Sequence, residues 1–256
     1  MKRTILFVSL CSLLLLSCGT RMRRNDIRKD SSSQSAVERK VGKFEKILLF
    51  SNCNVHYIQG DVTSVRIVGN AKDVENIETA CDGTTLTINS SNRRKFLRIG
   101  REGSVDVYIT SPDLISVTVK GAGGFDVKGK LDTDTLDVNV DGAGDIKIPN
   151  VICDDFNTIL KGAGDVDVDR LECSSSDIQL FGAGDINIRQ FNVNNSDISV
   201  FGVGDVDIDF NNCNKVKCKL FGVGDISLKG NVKELQKELK GTGSINVDKL
   251  HVLSRK

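Results

Sequence analysis

The sequence predicts an all-β chain that winds as a parallel β-helix, or β-solenoid, with coils of about 20 residues. A Gly-x-Gly phrase recurs seven times between Gly121 and Ser244, and its successive first glycines lie 19 to 21 residues apart. After each phrase, apolar and polar residues alternate as they do in half-buried strands. A unit of this length has no room for a crossover helix, so its strands must pair from coil to coil.

The first element of the chain is predicted to be an export signal. Met-Lys-Arg precedes an apolar run from Ile5 to Leu16, which is too short for a membrane-spanning helix. The run ends in Leu-Leu-Ser-Cys-Gly, which resembles the bacterial lipobox. Residues 1–17 are therefore predicted to be a lipoprotein signal peptide. Cys18 is predicted to be the lipidation site, through which acyl chains anchor the protein to a membrane.

The second element, residues 18–40, is predicted to be a flexible tether. It contains a run of three serines flanked by charge and has no apolar periodicity, as is typical of disordered segments. Residues 19–40 carry seven basic and three acidic side chains. The whole chain has a net charge of +1, which gives no reason to expect nucleic-acid binding.

The third element, residues 41–256, is predicted to be the solenoid. Residues 41–100 form an irregular N-terminal β region and cap, with strand-like runs such as 55–58 and 86–88 between turns. Residues 101–256 form regular coils, of which eight are expected. A cap is expected because the end coil of a solenoid exposes unpaired strand edges and an apolar core.

Three cysteines share one position of the repeat. Cys153, Cys173 and Cys213 each lie eleven residues after the first glycine, and Val193 takes that position in the repeat between. Exchange with valine favours a buried apolar column. A disulfide between Cys153 and Cys173 remains open, because equivalent Cα atoms of neighbouring coils lie about 4.8 Å apart. The chain has only two histidines and no Cys-x-x-Cys pair, which argues against zinc.

An aspartate follows the Gly-x-Gly phrase in five repeats and should stack into a row of carboxylates. Neighbours about 4.8 Å apart repel by about 0.9 kcal/mol in bulk water, so something must compensate. Calcium would compensate this repulsion, because it is a hard cation that takes oxygen ligands. Backbone N–H groups would also compensate it if they belong to a tight corner whose glycines supply positive φ. The known calcium-binding nonapeptide is not matched. A structural corner without a cofactor is therefore favoured, with calcium as the alternative. The residues are Asp145, Asp165, Asp185, Asp205 and Asp225.

Phe181, Phe201 and Phe221 each precede a Gly-x-Gly phrase and are predicted to stack as well. Their preceding residues point inward, so by alternation the rings should point outward. An exposed apolar ridge is a candidate ligand contact. Two alternatives remain: the corner folds the rings against a neighbouring loop, or the rings only stabilise the stack.

Residues 53–61 and 105–114, together with the Gly-x-Gly-Asp repeats, resemble the bacterial putative auto-transporter adhesin head GIN domain family, also known as DUF2807. The resemblance covers residues 44–250. It implies a right-handed parallel β-helix in a Bacteroidetes-type lipoprotein, and it supplies no catalytic residues. Surface-exported lipoproteins of that group tend to carry acidic residues after the lipidated cysteine, whereas residues 19–24 are basic. The prediction is an exported outer-membrane lipoprotein on the periplasmic face.

The favoured function is a non-enzymatic, adhesin-like envelope lipoprotein whose repeated face binds a glycan, a protein or a second copy of itself. A carbohydrate-active β-helix enzyme and a periplasmic structural scaffold are the alternatives. Acid–base catalysis needs two groups in different environments, whereas the repeated aspartates are equivalent. Conventional sugar binding is also weakly supported, because the chain has no tryptophan and two tyrosines and aromatic faces are the usual platform for sugar rings.

Overall fold

The computed structural model of the chain describes residues 34–91 and 105–253, which form β-strands and one short helix, α1 (Ala71–Val74). The predicted all-β β-helix with coils of about 20 residues is confirmed. The strands are β1 (Gln34–Arg39), β2 (Lys46–Leu49), β3 (Asn54–Gln59), β4 (Ser64–Asn70), β5 (Ile77–Cys81), β6 (Thr85–Ser90), β7 (Asp106–Ser111), β8 (Ser116–Val119), β9 (Phe125–Val127), β10 (Lys130–Asp132), β11 (Thr135–Val140), β12 (Ile146–Ile148), β13 (Asn150–Ile152), β14 (Asp155–Leu160), β15 (Val166–Glu172), β16 (Ser175–Leu180), β17 (Ile186–Phe191), β18 (Asn195–Val200), β19 (Val206–Leu220), β20 (Val223–Leu239) and β21 (Thr242–Val252).

From β9 onward the coils stack in chain order and in register. The first strands pair in parallel through β9, β12, β15, β17, β19, β20 and β21. The second strands pair through β8, β11, β14, β16, β18 and the later parts of β19 and β20. The register shifts only after Val168, Phe210 and Ser227, so most positions of the repeat become straight rows along the stack.

The inward rows form one continuous apolar core. Ile146, Val166, Ile186, Val206 and Ile226 make up one buried row, and burying each such side chain stabilises the fold by about 1.5 to 3 kcal/mol relative to exposure. A second buried row holds the three repeat cysteines with Val193, as the exchange with valine predicted. The cysteines in this row are free thiols.

The glycines of the repeat are required mainly by the close approach of neighbouring coils. A Cβ on Gly202 would lie 2.1 Å from the carbonyl oxygen of Gly182, and a Cβ on Gly162 would lie 1.7 Å from that of Gly142. The expectation that these glycines supply positive φ holds only for some second glycines, such as Gly204 with φ +145°. At the first glycines the reason is steric, because any side chain would overlap the backbone beneath.

At the N-terminal end the stacking order of the strands differs from their order in the sequence. β3 pairs with β9 on one side and with β7 on the other, and β2 lies between β8 and β6. The coil 46–59 is therefore inserted between strands that follow it in the sequence. The alternation of apolar and polar residues correctly assigns β7 to the first-strand position of the repeat. It does not indicate on which coil of the stack a strand lies. Antiparallel strands then close this end, with β4 on β7, β1 on β4 and β5 on β6.

The predicted tether ends earlier than residue 40. Residues 34–39 form β1, which pairs with β4, and Val37 packs against the core. The segment is too polar to show a strand pattern, and it is ordered because the edge of β4 offers it unpaired backbone groups. The signal peptide, Cys18 and the rest of the tether lie outside the described residues. Within the ranges 34–91 and 105–253, none of the helices is long and apolar enough to cross a bilayer.

Candidate functional site

The two predicted rows lie side by side on one corner of the solenoid. The corner joins the second strand of one coil to the first strand of the next and reads Phe-Gly-Val-Gly-Asp in two coils, as in Phe201 to Asp205. The phenylalanine row consists of Phe181, Phe201 and Phe221. The aspartate row consists of Asp145, Asp165, Asp185, Asp205 and Asp225. Val203 and Val223 lie between the two rows. We refer to the two rows together with these valines as the corner surface.

The phenylalanine rings stack and point outward, as the alternation predicted. Their centroids are 4.9 Å apart between Phe181 and Phe201 and 5.2 Å apart between Phe201 and Phe221, and the ring planes differ by 8° and 4°. Phe181 is 44% exposed and Phe201 is 45% exposed. The Nζ atom of Lys240 lies 5.6 Å from the centroid of Phe221 and covers its outer face.

Apart from the outer face of Phe181, this stacking leaves the ring edges, and not the ring faces, available to a ligand. Both faces of Phe201 are covered by neighbouring rings. A sugar ring binds best against an aromatic face, whereas the edge carries partial positive charge and suits apolar contact or the face of another aromatic ring. The phenylalanine row is therefore better suited to side chains of a protein than to a saccharide.

The valines widen this ridge into a strip. Val203 is 57% exposed and Val223 is 50% exposed, and a backbone bridge joins them. Ala183 continues the same row one coil earlier. Three adjacent coils thus present apolar atoms in two parallel rows, an arrangement typical of interaction sites.

The aspartate row connects successive coils. The Oδ1 atom of each of the first four aspartates accepts the backbone N–H of the aspartate one coil further on, at 2.9 to 3.1 Å. Asp225 accepts both the N–H and the hydroxyl of Ser244 at 2.8 Å. The structural corner thus has the expected backbone donors. However, each carboxylate binds the next coil and does not cap its own turn.

The charge of the aspartate row is not neutralised within the described part of the chain. No basic nitrogen there lies within 4.0 Å of these five carboxylates, whereas Asp169 pairs with Arg189 at 3.6 Å and Asp197 pairs with Lys217 at 3.6 Å. Over the same residues, no group of three or more histidine, cysteine, aspartate or glutamate side chains is arranged to hold a metal ion. Calcium binding therefore stays a prediction that this geometry does not favour.

A second polar feature lies where the inserted coil meets the regular coils. The Nε2 atom of His56 lies 3.2 Å from Asp106, and its Nδ1 atom lies 3.8 Å from Asp126. The ring also packs on Tyr108, with centroids 5.0 Å apart. Sequence reasoning missed this cluster because it joins three layers that are out of chain order. The signal that could have found it is the outward position of His56 in a predicted strand.

A shallow groove of about 890 Å³ runs along the outer face of the first strands. Its side chains are mostly charged, and they pair with one another across coils, as Arg189 does with Asp169 and Lys229 with Asp207. Such a mutually neutralised face is typical of a solvated surface. The corner surface is therefore the stronger candidate site.

Comparisons with known proteins agree with this architecture. The family model described as putative auto-transporter adhesin, head GIN domain, matches residues 43–212. A putative adhesin from Bacteroides fragilis is 28% identical, with a TM-score of 0.76 over 84% of this chain and 97% of that one. A putative adhesin from Parabacteroides distasonis is 16% identical, with a TM-score of 0.67 over 84% of this chain and 97% of that one.

Another structure from Parabacteroides distasonis, described as a putative lipid binding protein, is 18% identical, with a TM-score of 0.57 over 83% of this chain and 96% of that one. The two Parabacteroides structures show the fold alone. No curated protein matches the chain. The family match covers 170 of 256 residues, from 43 to 212. The chain therefore belongs to the putative auto-transporter adhesin family with a head GIN domain.

Proposed function

We propose that this protein is a non-enzymatic, adhesin-like binding module of the cell envelope, and that it holds a protein partner on the corner surface. The observation that carries the proposal is the outward stack of Phe181, Phe201 and Phe221 beside the exposed Val203 and Val223. Family membership supports the adhesin-like class. Contiguous apolar exposure on a stable scaffold is best explained by contact with another molecule.

Of the ligand classes that the sequence left open, a protein fits the corner surface better than a glycan. Neighbouring rings cover both faces of Phe201, and a ring and Lys240 cover the two faces of Phe221, which leaves a sugar only the outer face of Phe181. Ring edges and valine methyl groups remain, and these pack well against apolar and aromatic side chains. A second copy of this chain is also a protein ligand. The mass of the complex distinguishes it from other protein partners.

The absence of catalysis is part of the proposal. The aspartates of the row share one environment, since the Oδ1 atom of each accepts a backbone N–H of the next coil. General acid–base chemistry needs neighbouring groups whose environments push their pKa values apart. Equivalent carboxylates about 4.8 Å apart provide no such division of roles.

The location is proposed from the sequence. A lipid on Cys18 and a short tether before β1 would hold the solenoid at the outer membrane, on its periplasmic face. Labelling with a radioactive fatty acid should mark the wild type and not Cys18→Ser. Protease added to intact cells should leave the protein uncut, and cleavage by the protease would place it on the cell surface instead.

Site-specific crosslinking tests the binding role. A photoreactive residue at Val203 should capture a protein in cells, whereas the same residue at Asn195, an exposed position on another face, should not. Phe201→Ser should remove the product, and a fold check by circular dichroism excludes unfolding. Equal capture at both positions, or capture that persists in Phe201→Ser, would contradict the proposal. A product of twice the chain mass would identify a second copy as the partner.

A further inference from the structure

We infer that the partner segment on the corner surface is a cationic amphipathic helix that lies along the stack. Its apolar side chains meet the phenylalanine edges and valines, and its lysines or arginines meet the aspartate row. The inference rests on the proposed function, and it names the chemistry of the partner.

The first step is the position of the two rows. Phe201 and Asp205 are four residues apart on one corner, and Val203 lies between them. A partner that covers the valine therefore also covers or approaches the carboxylate. Removing a carboxylate from water without a compensating charge is strongly unfavourable. A partner that seals the apolar strip must bring cations to the adjacent row.

The second step is that the corner does not need the charge. The inter-coil hydrogen bond requires only an oxygen acceptor. Asn54 lies in the same row of the inserted coil, and its amide oxygen accepts the N–H of Gly124 at 3.4 Å. Ser244 takes the position in the last coil, where it donates to Asp225. Uncharged residues thus fill the position at both ends, while five consecutive coils between Asp145 and Asp225 carry a carboxylate there.

The third step is the lack of an internal counter-charge. Some outward carboxylates, such as those of Asp169 and Asp197, meet a basic side chain of a neighbouring coil, whereas others in the described ranges, such as those of Asp167 and Asp177, do not. In the described ranges the aspartate row does not. Five like charges in a line create a negative potential that attracts and orients a cationic partner. The same potential repels an anionic lipid surface.

The fourth step is the match of spacings. The coils rise by about 4.8 Å each, and an α-helix rises by about 5.4 Å per turn with its i, i+3 and i+4 side chains on one face. A helix parallel to the stack therefore stays within about 1.2 Å of register over the two steps of the phenylalanine row. Its apolar stripe and its basic stripe can each follow one row.

The test compares two synthetic helices on the full-length chain. One carries leucine on one face and lysine on the other, and the second has glutamate in place of lysine. We expect the lysine helix to bind about tenfold more tightly at low salt, with an advantage that shrinks at 0.15 M salt, where the screening length falls to about 8 Å. Fluorescence anisotropy of labelled helices measures both affinities.

A charge-only variant isolates the aspartate row. The triple variant Asp185→Asn, Asp205→Asn and Asp225→Asn keeps an oxygen acceptor for the corner bond, so folding should be retained and the preference for lysine should disappear. The matched control is Asp169→Asn, Asp197→Asn and Asp207→Asn, which removes three charges elsewhere. This control should keep the preference.

The outcomes separate the inference from the proposed function. If both helices bind alike and Phe201→Ser weakens both, the charge inference is overturned and the apolar docking surface remains. Binding of neither helix, or a preference that survives in the row variant, also overturns the inference. Binding of anionic vesicles in place of the lysine helix overturns it too. The proposed function fails independently if crosslinking at Val203 captures no protein in cells.

Discussion

The corner of the inserted N-terminal coil and the corners of the regular coils hold equivalent positions but are built from different residues. The inserted coil reads Phe-Ser-Asn-Cys-Asn from Phe50 to Asn54, whereas a regular corner reads Phe-Gly-Val-Gly-Asp. Phe50 is 40% exposed and lies under the Nζ atom of Lys120, much as Phe221 lies under Lys240. The inserted corner therefore shares the ring with three of the regular corners, but it lacks their glycines and their aspartate.

The glycine difference reflects how closely the coils approach each other. A Cβ on Gly121 would lie 2.1 Å from the carbonyl oxygen of Ser51, and a Cβ on Gly123 would lie 2.0 Å from that of Cys53. Ser51 and Cys53 are themselves tolerated in the coil beneath. Glycine thus becomes necessary where one corner is laid on another, and not because a corner as such needs it.

Replacing a glycine of a regular corner with alanine should produce the largest change in stability. In Gly202→Ala the new methyl group would overlap the Gly182 carbonyl at 2.1 Å, so the coils must separate. We expect the free energy of unfolding to fall by about 3 kcal/mol, the upper end for overpacked sites. Urea denaturation measures the change.

The control for this prediction is Ser51→Ala, which removes the hydroxyl that accepts the Cys53 N–H at 3.4 Å and adds no bulk. It should lower the free energy of unfolding by about 1 kcal/mol. If the two variants lose equal stability, close coil approach does not explain the glycines.

The two corners also differ in how far the sequence pattern predicts their structure. The period of the repeat predicts the coils, and alternation predicts which side chains point outward, as at Phe201. Neither predicts the insertion of 46–59 beneath β9, because a strand such as β7 has the same alternation in any layer. The edge strand β1 is likewise hidden, since backbone pairing and not side-chain pattern holds it. The sequence also does not show that the aspartate row lacks ion-pair partners, because the partners of a carboxylate are identified only from distances between coils.

The buried thiols provide a second comparison of the two regions. Burial raises the pKa of Cys53 in the inserted coil, and that of Cys213 in a regular coil, to about 11 from an ordinary value of 9.0. The folded state therefore holds these protons more tightly than the unfolded state. Stability should be full below pH 9 and should fall as the pH rises from 9 to 11.

Valine should remove part of that alkaline loss. Val193 occupies the same buried row as Cys213, so Cys213→Val should keep the stability at pH 7 within about 1 kcal/mol. At pH 11 it should recover about 2 kcal/mol relative to the wild type, because a pKa difference of one unit is worth about 1.4 kcal/mol. Thermal melts at pH 7, 9 and 11 measure this. Cys53→Val tests the inserted coil in the same way, and an unchanged pH profile in both variants would contradict the assignment.

The two exposed rings should differ in function more than in stability. Phe201→Ser loses stacking on both faces and about half of a buried side chain, so we expect a loss of about 1 to 1.5 kcal/mol, with partner binding abolished. Phe50→Ser should cost about 1 kcal/mol and leave partner binding intact, because no valine row accompanies it. Melting curves and crosslinking at Val203 provide the two readouts. Loss of binding in Phe50→Ser as well would contradict the assignment of binding to the corner surface, because Lys120, Asp141 and Lys161 separate Phe50 from the phenylalanine row.

The smallest expected effect separates the two roles of the aspartates. Asp185→Ala removes the acceptor of the Asp205 N–H, which lies at 2.9 Å, and should lower the free energy of unfolding by about 1 kcal/mol. Asp185→Asn keeps an oxygen there and removes repulsion from two neighbours, so its stability should equal or slightly exceed that of the wild type at low salt. Asn54 already uses this amide arrangement with Gly124. Thermal melts at low and high salt distinguish the variants.

Equal losses in both variants would mean that the corner bond requires the charge, and the aspartate row would then be explained by folding alone. If only the alanine variant loses stability, the regular corners carry a charge that their fold does not use, and that charge is available to a partner.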